Sequence, residues 1–105
     1  MSNPARGEVW LVDLGPVAKI RPALVINDAY GEEDYALCHM IPHTAAVRGS
    51  QFEVALTIRG LERGVFNIQG SQSVPPVRLL RRLAPLSPAQ LSQVEIQFKR
   101  WLGLV

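Results

Sequence analysis

Apolar positions recur along this chain in two different periods, and the change between them divides it. Near the start, Glu8-Val9-Trp10-Leu11-Val12-Asp13-Leu14 is apolar on both faces of an extended strand, and Gly15-Pro16 stops it. A second strand is predicted over Ala23-Leu24-Val25-Ile26, with Pro22 marking its start, since a strand tolerates proline at its first position. The polar run from Asn27 to Asp34 reads as a loop. Tyr35 to Ile41 is the third strand, ended by Pro42. From Gln51 to Ile58 the alternation is clean: Phe52, Val54, Leu56 and Ile58 share one face, Gln51, Glu53, Ala55 and Thr57 the other. That period of two predicts an antiparallel strand with one buried face. Val65 to Gln69 is a short fifth strand, and Ser73-Val74 begins a sixth that Pro75-Pro76 interrupts.

Toward the C-terminus the period lengthens. Ser87 is placed to cap a helix, Pro88 suits its first turn, and Gln90 stands where a capping box requires an amide. Leu91, Val94, Phe98, Trp101 and Leu102 follow at three- and four-residue spacing, which predicts an amphipathic helix from Pro88 to Leu102, stopped by Gly103. Five to six mostly antiparallel strands and one C-terminal helix predict a mainly β (α+β) fold, a small curved barrel with the helix packed on it.

Composition narrows the class. The 105 residues are one domain's worth, residues 1–105, and 48% apolar with 19% charged residues argues against disorder. The single cysteine, Cys38, cannot make an internal disulfide. No apolar stretch approaches the ~20 residues that span a bilayer, so no membrane segment is expected. Met1-Ser2-Asn3-Pro4-Ala5-Arg6 lacks the apolar core of a secretory signal, and a cytoplasmic protein is expected.

The formal net charge of +2 conceals an asymmetry. Residues 1–57 carry four cations and seven anions, residues 58–105 seven cations and two anions. Nine of the 11 cations are arginine, whose flat five-donor fork suits phosphate oxygens better than lysine's point charge. The bias points toward a phosphate-bearing partner, although an ordinary exposed basic face would carry the same residues.

Few residues suggest conventional catalysis. His39 and His43 are the usual acid–base type, but Pro42 interrupts any common face. With Cys38 they fall short of a zinc site, which needs three or four ligands, and the chain has no further Cys or His. Neither a metal nor another cofactor is therefore expected. There is no phosphate-binding glycine loop, and no nucleophile elbow supports a Ser-His-Asp triad.

The order of the segments says more. Arg6-Gly7-Glu8-Val9-Trp10-Leu11-Val12-Asp13-Leu14, followed by Arg21-Pro22-Ala23-Leu24-Val25-Ile26-Asn27, resembles the opening of the MazF/PemK family of toxin endoribonucleases. Ile41-Pro42-His43-Thr44 is similar to that family's strand-end Pro-x-Thr, and Gln51 to Ile58 to the alternating strand after it. Phe66-Asn67-Ile68-Gln69 resembles its strand leading to a glutamine, and Leu83 through Leu104 its C-terminal helix. The resemblance covers nearly the whole chain. One departure stands out: the connection Gly15 to Ile20 is short and lacks the polar Gly- and Glu-bearing run common before Arg-Pro.

The resemblance implies an SH3-like barrel that forms a homodimer, is held inactive by a cognate antitoxin protein, and cuts single-stranded RNA (mRNA) without a metal. The substrate's own 2′-hydroxyl would attack, leaving a 2′,3′-cyclic phosphate and a 5′-hydroxyl, so the protein must position, stabilise charge and move protons. By the same resemblance Arg21 holds the scissile phosphate, with Pro22 stiffening its approach, and Thr44 donates to a phosphate oxygen or orients the 2′-hydroxyl. His43 is a further candidate acid or base, outside the family motif and on the opposite face from Thr44. Gln69, or Gln72 if the register differs, could read a base edge, and Arg48, Arg78 and Arg81, with Arg82, could follow the RNA backbone. Trp10 and Phe66 are stacking candidates whose apolar setting fits a core equally well. Two other readings stay open. One is a CcdB-like gyrase poison, suggested by the Trp101-Leu102-Gly103 tail, and the other a catalytically silent barrel that binds RNA or protein.

Overall fold

The computed structural model describes residues 3–104, and it closes the chain around two cores on opposite faces of one antiparallel sheet. In chain order the elements are β1 (Glu8–Asp13), α1 (Gly15–Ala18), β2 (Ile20–Val25), β3 (Cys38–Thr44), β4 (Glu53–Val54), β5 (Val65–Asn67), β6 (Gln72–Val74), β7 (Leu79–Pro85) and α2 (Pro88–Trp101). One-turn 3₁₀ helices lie at Ile68–Gly70 and Pro76–Arg78. The sheet runs β4-β5-β3-β2-β1-β7, with β6 also paired to β3. Its end strands β4 and β7 do not pair, so it is an open sheet rather than a closed barrel. Among the described residues no helix is long and apolar enough to cross a membrane.

The two cores explain why the first strands read as apolar on both sides. Val9, Leu24 and Ile41 face one way and join Phe66, Ile68 and Val94 of α2. Val12, Ala23, Val25, Cys38 and Met40 face the other, beneath β6 and the start of β7. Burying each of the larger aliphatic side chains contributes about 1.5–3 kcal/mol. The helix forms as its sequence predicts. Ser87 Oγ accepts the Gln90 N–H at 3.2 Å and Gln90 Oε1 accepts the Ser87 N–H at 3.0 Å, a complete capping box. Val94 is fully buried on the inward stripe, while Trp101, half exposed, meets Phe52 ring to ring at 5.2 Å.

Several strands depart from expectation. β2 starts at Ile20, so Pro22 lies inside it, opposite Leu11 of β1. The β2–β3 ladder starts only at Ala23, which leaves β2 an edge strand at Pro22, where a missing N–H costs no ladder bond. Pro42 likewise lies within β3 rather than ending it. There β3 exchanges partners, pairing with β2 through Pro42 and with β5 from His43 onward. β3 starts at Cys38 instead of Tyr35, because Tyr35 and Leu37 are exposed in the preceding loop. The half-buried alternation of residues 51–58 is present in the burial pattern, yet only Glu53 and Val54 are laddered to β5. A seventh strand, β7, went unread. Two register shifts against β1 break its alternation, and Arg81 and Arg82 point outward in succession.

Candidate functional site: a groove beside β3

Local geometry brings the two central side chains to one place. The short β1–β2 connection is a single helical turn, α1, closed by Lys19 N–H donating to Gly15 O at 2.7 Å and by Leu14 N–H donating to Lys19 O at 2.9 Å. Lys19 takes a left-handed φ of 63° to leave the turn. Arg21 follows, and its Nε donates to Ala18 O at 2.7 Å. That bond tethers the base of the guanidinium, and among the described residues no acceptor engages Nη1 or Nη2. Both terminal nitrogens are thus available to a ligand.

Thr44 ends β3. Its Oγ1 accepts the Ala46 N–H at 3.1 Å, which fixes the rotamer and leaves the hydroxyl proton to be donated elsewhere. Arg21 and Thr44 line one groove of about 710 Å³, together with Ala18, Pro42, Arg48, Glu53, Asn67, Gln69 and Gln72. Gly64 lets β5 approach this strand end closely: a Cβ there would lie 2.3 Å from Thr44 O and 2.8 Å from His43 Cε1.

The loop from Ala45 to Gln51 forms one wall of the groove and hangs from Glu53. Glu53 Oε1 accepts the N–H groups of Arg48, Gly49 and Ser50 at 3.2, 2.7 and 2.9 Å, and Oε2 accepts Arg48 N–H at 3.0 Å. Gly49 supplies the positive φ of 85° that turns the three amides toward one carboxylate. The Arg48 N–H is the main cause holding the Glu53 carboxyl below its ordinary range, with Ser50 and Gly49 adding to it against a smaller effect of burial. The neighbouring Phe52 N–H donates to Ser50 Oγ at 3.0 Å, and Glu53 N–H donates to Ser50 O at 3.2 Å.

Of the candidates named from sequence, the structure brings Arg21, Thr44, Arg48, Gln69 and Gln72 into this groove. It does not bring His43. That ring is 3% exposed and packs edge-on against Phe66 at 5.0 Å on the other face of β3, with Nε2 lacking any partner. Burial pushes its pKa down, and the Glu62 charge pulls it partly back. Arg78 and Arg81 also lie outside: Arg78 Nη1 stands 3.8 Å from Asp13 Oδ1, and Arg81 is exposed on β7 opposite Leu11. Arg82 instead pairs with Glu8 at 3.0 Å. Phe66 is fully buried in the core, and Trp10 is half-buried with Nε1 donating to Glu8 Oε1 at 3.1 Å.

Sequence reading missed Glu53 and Asn67, which look like outward residues of ordinary strands. No pattern in the sequence marks Glu53, because its partners are the backbone amides of a loop folded back over it. His39 Nδ1 lies 2.9 Å from Ser73 Oγ, and no group of three or more His, Cys, Asp or Glu among the described residues could hold a metal ion.

Comparison with known proteins places this chain in a family. Among solved structures the chain is similar to MazF (Form-I) from Deinococcus radiodurans, at 26% identity and TM-score 0.83, covering 98% of this chain and 99% of that one. It is similar in fold to the MazE–MazF complex (Form-II) of the same organism, at 24% identity, TM-score 0.82 and full coverage of both chains. A mycobacterial endoribonuclease in complex with its cognate antitoxin matches at 22% identity and TM-score 0.83, covering 97% of each chain. Comparison with the curated proteins returns no match. The family model for the PemK-like, MazF-like toxins of type II toxin–antitoxin systems matches residues 5–102, and the chain belongs to that family.

Proposed function

We propose that this toxin is an endoribonuclease that cleaves single-stranded RNA, mRNA included, in the groove beside β3. The observation that carries the reading is that Arg21, with two free terminal nitrogens, and Thr44, with a free hydroxyl proton, line the same groove. The nucleophile is the substrate's own 2′-hydroxyl. Its oxygen forms a bond to the adjacent phosphorus as the bond to the 5′-oxygen breaks; the 2′-hydroxyl gives up its proton and the 5′-oxygen gains one. The products are a 2′,3′-cyclic phosphate and a 5′-hydroxyl, and the scheme requires no metal.

Arg21 grips the non-bridging oxygens and stabilises the charge that grows on them, acting by its field because a guanidinium keeps its proton. Thr44 donates to the same phosphate or aligns the 2′-hydroxyl for in-line attack. Arg48 neutralises a neighbouring phosphate, and the carboxamides of Gln69 and Gln72 offer donor and acceptor to a base edge. His43 takes no part, its ring being enclosed on the far side of the strand. The same reading gives the toxin a cognate antitoxin whose acidic segment occupies the groove. It also gives a homodimer, for which exposed Val77 and Leu80 by the β7 edge supply apolar surface.

Incubation of the purified protein with single-stranded RNA in EDTA tests the proposal. Fragments ending in 2′,3′-cyclic phosphate and beginning with 5′-hydroxyl are expected. Intact RNA at high protein concentration across varied sequences overturns it.

A further inference from the structure

Glu53 has an unusual position for a carboxylate: it lies in a groove read as a polyanion site, between Arg48 and Asn67. A bare acid there would repel phosphate. This one is not bare, because three consecutive backbone amides direct four hydrogen bonds at it. It also stands on the more rigid side of the contact. Glu53 is laddered opposite Asn67 of β5, whereas the residues it grips lie in an exposed loop without regular structure. The carboxylate is therefore the fixed point and the loop is what it holds.

We infer that Glu53 is a positioning residue for RNA binding: by clasping the amides of Arg48, Gly49 and Ser50 it orders the 45–50 loop and presents Arg48 to the substrate backbone. The inference rests on the ribonuclease reading and deepens it, dividing the groove into a chemical part and a gripping part. Arg21 is tethered independently through Ala18, and Thr44 is held by Ala46 at the near end of the loop. Releasing the far end at Glu53 frees Arg48 while both chemical groups keep their own anchors. Ordering the loop in advance also spares the substrate the entropy of fixing it.

The test compares wild type, Glu53→Ala, Glu53→Gln, Arg48→Ala and the Glu53→Ala/Arg48→Ala double variant. Binding is read with a fully 2′-O-methylated RNA oligonucleotide at several salt concentrations, and turnover with the unmodified one. Glu53→Ala is expected to weaken binding about tenfold and to flatten the salt dependence by about 0.7 in log–log slope, the loss of one phosphate contact on a single strand. Arg48→Ala should do the same, kcat should stay within about twofold of wild type, and Glu53→Gln, which keeps one acceptor oxygen, should fall between. In the Arg48→Ala background the Glu53 change should add almost nothing. An equal loss on removing Glu53 with or without Arg48, or a fall in kcat with the salt slope unmoved, overturns the inference while leaving the ribonuclease intact. Wild-type protein that neither binds nor cuts RNA overturns both.

Discussion

His43 and Thr44 are neighbours in β3 and face opposite ways, the imidazole enclosed against Phe66 and the hydroxyl on the groove. That alternation separates a residue important to stability from one placed for chemistry, and the two should respond to different measurements.

His43 makes stability depend on pH. Burial holds its folded pKa below the ordinary 6.5, so at pH 7 both the folded and the unfolded chain carry it neutral. As pH falls below 6.5 the unfolded chain takes up a proton that the fold resists, and stability is lost. His39, also pushed down by burial, adds in the same direction. Thermal unfolding should show a Tm that declines from pH 7 to pH 5 in wild type, and a clearly smaller decline in His43→Leu. That variant should also keep its RNA cleavage rate within about threefold at pH 7, since its side chain is enclosed against Phe66 and does not line the groove.

Gly64→Ala should be costly out of proportion to one methyl group. The new Cβ would meet the Thr44 carbonyl, which belongs to backbone and cannot swing aside. Denaturant unfolding should show a loss of at least about 1–3 kcal/mol, the range for overpacking. Cleavage should fall as well, because β5 would have to move away from the strand that carries Thr44.

The arginines divide into two groups. Arg48→Ala should raise KM for RNA, and more at low salt than at high salt, because the lost contact is the one that salt weakens. Arg78→Ala and Arg81→Ala should each leave KM within about twofold, as expected of charges that contact no phosphate. Steady-state kinetics at two salt concentrations decide it.

The helix and its capping box were legible because Ser87, Pro88 and Gln90 act within one turn and the apolar stripe needs no distant partner. The inward positions of residues 51–58 were legible for the same reason. What misled was proline: Pro22 and Pro42 read as strand limits, yet each falls where the sheet has no ladder bond to lose, a fact set by distant partners. β7 was hidden by its bulges against β1. Arg21, Thr44 and Gln69 came from resemblance, whereas Glu53 was invisible. Its role depends on a loop folding back over it, which period-two patterning does not encode.

The central claim is that Arg21 and Thr44 act on one phosphodiester, and a double-mutant cycle of single-turnover RNA cleavage tests it most directly. Arg21→Ala is expected to slow cleavage by at least about a hundredfold and Thr44→Val by about tenfold or more, the scale for lost transition-state donors. Groups serving one phosphate act as a unit, so the double variant should be scarcely slower than Arg21→Ala alone. Two losses that multiply in full, or a double variant that cuts at the wild-type rate, would contradict the account.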